Sequence, residues 1–161
     1  MLHIEKPKSM THIVTGLIAR QGLLAPIAES WLMSSPIGLV QGFELLPLQK
    51  NDIDRIFGSS TRSSIAADFE RLSTELIEGL MNVSTNALIL YFETEYFGGD
   101  GSQGAALFHE GRVVFIQTGS IGPINRGLAL LGVRVATPAI DEFQSIGLDR
   151  HRATEDWLIS P

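Results

Sequence analysis

A chain of 161 residues, 44% apolar and 19% charged, is long enough to bury a core and too apolar to stay disordered. It has no cysteine, which excludes disulfides, thiolate metal sites and a cysteine nucleophile, and fits a reducing, cytoplasmic setting. A net charge of −6 argues against a nucleic-acid partner, since neutralising phosphates takes clustered Lys and Arg, and favours solubility or a basic protein partner.

Residues 1–10 hold Glu5, Lys6 and Lys8 without an apolar stretch, so they read as a loose arm rather than a signal peptide. The apolar runs are strand-sized, far short of the roughly 18 residues of a membrane span, so no membrane partner is expected. No repeat or linker divides the remainder, and the whole chain, 1–161, reads as one domain.

Taken in order, residues 11–20 are β-rich near their start, at Ile13, Val14 and Thr15, and predict a first strand. Residues 22–33 predict a short helix starting near Pro26. After the turn at Ser34-Ser35-Pro36, residues 38–48 predict a second strand, with Pro47 near its end. Asn51 is placed to cap a helix through Phe57, with Asp52 and Asp54 at its positive end. From Ser64, Ile65, Phe69, Leu72, Leu76 and Leu80 recur in steps of four, three, four and four, the spacing of an amphipathic helix.

Residues 87–97 predict a strand whose first half is apolar on both faces and therefore buried. Residues 98–104 read as a loop, 105–108 as a returning strand, and Glu110-Gly111 as a tight turn into a third strand over 112–117. The result is an antiparallel meander over 87–118. Pro123 opens a helix that Gly132 stops. Residues 133–136 suggest one more strand. Thr137-Pro138 reads as the start of a helix ending at Gly147, and Thr154 as the cap of a last helix carrying Trp157. The expected fold is α+β, an antiparallel sheet with helices packed on one face.

Two clusters hold the candidate binding residues. In the first, Glu93 and Glu95 share one strand face with Tyr91 and Phe97, their Cα atoms about 6.6 Å apart. Two carboxylates at that range can share a cation, divide into acid and base, or mark where a strand leaves the core. Tyr96, Phe97, Asp100 and Gln103 complete this cluster around a glycine-rich segment. Gly99-x-Gly101-x-x-Gly104 matches the dinucleotide fingerprint by letter, but no βαβ unit surrounds it and a strand follows it. The glycines are better explained by a bend in the chain, so no cofactor is expected. In the second cluster, Arg150, His151 and Arg152 could grip an anion, or pack against the C-terminal segment through Trp157. The four histidines lack metal-pair spacing, so no metal is expected, and neither a G-x-S-x-G elbow nor a P-loop occurs.

The run Glu93-Thr94-Glu95-Tyr96-Phe97-Gly98-Gly99-x-Gly101-x-Gln103, with Asp141-Glu142-Phe143, Gly147-Leu148, Arg150-His151-Arg152 and Asp156-Trp157 further on, resembles a family of small uncharacterised bacterial proteins. The match covers two stretches, under a third of the chain. It implies no catalytic role for any residue and carries an association with inhibitor or immunity roles.

Three functions remain open on these readings. The favoured one is a protein-binding module of inhibitor or immunity type with a basic partner, which leans away from an enzyme. The second is a small hydrolase using Glu93 or Glu95 with an anion site at Arg150, His151 and Arg152. The third is a homo-oligomeric structural protein, such as a homodimer, paired through a sheet edge.

Overall fold

The computed structural model describes residues 11–58, 61–98 and 100–161. The expected arm at 1–10, with His3, and Gly99 of the glycine-rich segment lie outside the described residues. Six strands form one antiparallel sheet: β1 (Thr15–Arg20), β2 (Ile37–Gly38), β3 (Phe43–Pro47), β4 (Ile89–Phe97), β5 (Asp100–His109) and β6 (Arg112–Gly119), in the order β2-β3-β1-β4-β5-β6. The meander is β4-β5-β6. Its strands meet at the registers Phe97 with Asp100 and His109 with Arg112. Glu110 and Gly111 both take positive φ in the second turn, the backbone a two-residue hairpin demands.

The helices are α1 (Ala25–Ser30), α2 (Lys50–Phe57), α3 (Thr74–Val83), α4 (Pro123–Leu131), α5 (Glu142–Ser145) and α6 (Thr154–Ile159). They lie on both faces of the sheet, where the sequence reading placed them on one. Leu17, Ala19, Ile89 and Tyr91 turn to a first face and pack with Ile27, Ile53, Leu76 and Leu80 of α1, α2 and α3. Ile18, Leu90 and Phe92 turn to the second and pack with Ile124 and Leu128 of α4, Ile146, and Trp157 of α6. A strand apolar on both faces needs cover on both, which is why β1 and β4 sit at the centre.

Several boundaries differ from the sequence reading for identifiable reasons. The amphipathic spacing from Ser64 yields a helix only from Thr74, capped by the Ser73 hydroxyl, which accepts from the Leu76 amide at 3.1 Å. Upstream, the amides of Glu70 and Arg71 donate to the Glu93 carboxylate, so they are not spent on a helical ladder. Residues 38–48 divide into β2 and β3 at a turn where Gln41 takes a positive φ. Gln49 rather than Asn51 caps α2. Residues 133–136 form no strand. Asp141, not Thr137, caps the following helix by accepting from the Gln144 amide at 2.9 Å. Thr154 is the first residue of α6 rather than its cap, and its hydroxyl accepts from the Thr15 amide at 3.1 Å.

Two contacts tie the chain's far parts together. His12 bridges to Tyr96, and Ile13 pairs in parallel with Ala153. The 152–154 segment therefore runs beside the start of β1 and continues the sheet where β3 has ended. No helix of the described residues is long and apolar enough to cross a membrane.

Candidate functional site

The first face of β4 passes from core to solvent within five residues. Glu93 is 3% exposed, the Glu95 side chain 32%, and Phe97 57%. Antiparallel pairing puts Ser102 opposite Glu95 and Asp100 opposite Phe97, on the same face of the sheet. The tip of the β4–β5 hairpin thus presents an aromatic ring and a carboxylate side by side, with Glu95 two pairs inward on the same face.

The glycines after Gly98 allow close approach. β5 already begins at Asp100, so the stretch 98–104 is mostly strand and not the loop the sequence suggested. A Cβ on Gly101 would lie 1.9 Å from the Glu95 carbonyl oxygen, and one on Gly104 2.5 Å from the Phe69 ring. The chain runs on as strand to His109, so the segment lacks the helix N-terminus on which a pyrophosphate would rest.

Glu93 is anchored rather than poised. One carboxylate oxygen accepts from the Glu70 amide at 2.8 Å; the other accepts from the Arg71 amide at 3.1 Å and the Tyr91 hydroxyl at 3.0 Å. Burial pushes the Glu93 carboxyl above its ordinary value; the three hydrogen-bond donors and the positive charge of Arg71 pull it down without outweighing burial. Burial, reinforced by Glu93, also raises the Tyr91 hydroxyl well above its ordinary value. Arg71 lies 3.7 Å from Glu93 and 3.2 Å from Glu95, so one guanidinium serves both carboxylates and removes their need for a shared cation. Among the described residues no group of three or more His, Asp or Glu is placed to hold a metal ion.

Tyr96 and Gln103 turn to the second face and pin the meander to α4. The Tyr96 hydroxyl donates to the Ser120 carbonyl at 2.6 Å and accepts from the Gln103 amide at 2.9 Å. The Gln103 carbonyl accepts from the Ile124 amide at 2.8 Å, filling one of the open donors at the start of α4. Both side chains are half-buried.

Arg150 and His151 belong to a packing arrangement around Trp157, which is fully buried. The guanidinium of Arg150 stands 5.2 Å over the indole, and the His151 ring meets it edge-on at 4.9 Å. Nearby, His12 Nδ1 is 2.6 Å from the Thr94 hydroxyl, which itself accepts from the Val14 amide. Burial, aided by the positive charge of Arg152, holds His12 down at about 4.

Arg152 parts company with its neighbours and lines a groove of about 490 Å³ with Ile13, Thr15, Lys50 and Arg71. A smaller hollow of about 210 Å³ adjoins it, walled by Lys50, Asp54, Glu70, Arg71 and Glu95. The two sequence clusters thus approach through Arg71, which the sequence reading did not single out. Its only advance signal was two carboxylates on one half-buried strand face without a cation, and its position 22 residues from Glu93 left the partner unspecified. Searches against models of known protein families, curated proteins and solved structures find no match.

Proposed function

We propose that the chain is a protein-binding module of inhibitor or immunity type that docks a basic partner through the β4–β5 hairpin tip. The observation that carries this reading is Phe97, 57% exposed and set against Asp100 and Glu95. Exposed Asp54 and Glu70 line the same hollow as Glu95, so carboxylates outnumber the cations Lys50 and Arg71 there. An aromatic anchor supplies desolvated contact area, and carboxylates around it speed encounter with a positively charged surface. Tyr96 and Gln103 stiffen the hairpin from behind, which lowers the ordering cost of docking.

The hydrolase alternative draws less support. It needs Glu93 or Glu95 free to act and Arg150, His151 or Arg152 in the same pocket. Glu93 has its oxygens taken by structural donors, Glu95 is paired with Arg71, and Arg150 and His151 pack on Trp157, which leaves Arg152 in the groove beside them.

The test is affinity capture with crosslinking from cells that make the protein, using wild type, Phe97→Ala, Asp100→Lys and a Leu130→Ala control on α4. The reading expects a basic protein held by wild type and control, and lost at least about tenfold by both tip variants. Equal capture by all four chains would refute it.

A further inference from the structure

The start of β1, the start of α2, Arg71 and the segment around Arg152 meet at the groove of about 490 Å³, a size typical of small-molecule sites. Two of its features are polar groups that the fold leaves unsatisfied. The first is the opening of α2, an eight-residue helix. Lys50 and Asn51 line the groove, and their amides, the first two of the helix, meet no acceptor among the described residues; the bonds back to Gln49 come from Asp52 and Ile53. Open amides at the positive end of a helix dipole make a seat for an anion. The second is Thr15, which lines the groove at 2% exposure. Its amide donates to the Thr154 hydroxyl and its carbonyl accepts from the Leu48 amide. Its own hydroxyl has no hydrogen-bond partner among the described residues, although a hydroxyl so enclosed is normally paired.

From this we infer that the groove binds the phosphate group of a small organic phosphomonoester. Charge selects an anion. Arg71 is offset by Glu93 and Glu95, but Lys50 and Arg152 share the groove with a single lining carboxylate, Glu155. The result is a positive pocket on a chain of net charge −6, where an anion approaching elsewhere meets repulsion. Geometry selects phosphate. Donors come from the α2 amides, the Lys50 ammonium, the Thr15 hydroxyl and the Arg152 guanidinium, on three separate parts of the chain. Convergence from several directions suits the three terminal oxygens of a phosphate better than the planar pair of a carboxylate. The rest of the lining selects an organic ester over the free ion, because Ile13, Leu48 and Ala153 give the groove an apolar wall that a hydrocarbon body can cover. This site stands independently of docking at the hairpin tip.

Amide NMR of the isotope-labelled chain, titrated with phenyl phosphate, benzoate and inorganic phosphate, tests this. On wild type, phenyl phosphate is expected to shift the amides of Thr15, Lys50 and Asn51 most, and to bind several-fold more tightly than either of the other probes. Thr15→Val and Lys50→Gln should each weaken phenyl phosphate about tenfold, the worth of one hydrogen bond to a charged group. Arg134→Gln, which removes a surface charge outside the groove, should bind as wild type does. The wild-type shift map needs no variant, and exposed Lys50 can be replaced without touching the core. The proposal is overturned by no binding of phenyl phosphate up to about 10 mM, by shifts centred away from the groove, or by benzoate or inorganic phosphate binding as tightly. Full affinity in Thr15→Val or Lys50→Gln, or equal weakening in Arg134→Gln, overturns it as well.

Discussion

Replacing Gly104 with alanine tests whether the glycine-rich segment serves packing. The new Cβ would lie 2.5, 2.7 and 3.0 Å from three carbons of the Phe69 ring. That ring is 4% exposed and leans on Tyr91 with centroids 6.2 Å apart, so relief requires it to move by most of an ångström inside a filled core. Overpacking of this kind costs about 1–3 kcal/mol. At roughly 2–4 °C per kcal/mol for a domain of this size, Tm should fall by about 2–12 °C. Thermal unfolding followed by circular dichroism measures it. Phe69→Leu removes the ring that Gly104→Ala strikes, so the double variant should lose less stability than the two single losses added together. A Gly104→Ala chain that melts with wild type, or strictly additive losses, would show that the ring does not constrain this position.

Two further predictions concern the second face. His12 is held at about 4 against an ordinary 6.5, so between those values the unfolded chain takes up a proton that the folded chain refuses. The contribution of His12 to stability is complete above pH 6.5 and declines by about 3 kcal/mol as pH falls to 4. His12→Phe should lose about 1 kcal/mol at pH 7 with the Thr94 hydrogen bond, yet show a shallower acid decline in urea titrations. An unchanged slope would contradict the assignment. Glu93 slopes the other way: its carboxyl is raised above 4.5, so its contribution is full below that value and falls as pH rises. Being common to both chains, it drops out of the difference. Trp157→Ala should cost about 3–5 kcal/mol and Arg150→Ala only about 0.5–1 kcal/mol; equal losses would mean that Arg150 does more than cover the indole.

How far the sequence specified the fold depended on whether the signal was local. The meander followed from alternation and the Glu110-Gly111 turn, and α4 from Pro123 and Gly132, because each cue sits inside its own element. The amphipathic run from Ser64 misled, because its first half is held open by a carboxylate from β4 that no local pattern reveals. The second helical layer was implicit in the two-faced apolar strand at 87–92, yet helix spacing alone cannot say to which face a helix returns. The same limit applies to the site. The exposure gradient from Glu93 to Phe97 was foreshadowed by its composition, whereas Arg71 as shared counter-ion is a long-range fact.

The placement of β1 sets the order in which this molecule can be completed. Translated ahead of its partners, it is among the most deeply buried strands, and one flank waits for β4, more than seventy residues later, while the stretch before it waits for Ala153, later still. Loops that long close slowly. Until they do, a strand made to be covered on both sides stands with one side open, so a ribosome-bound intermediate carrying β1 to β3 is the species most in need of a chaperone.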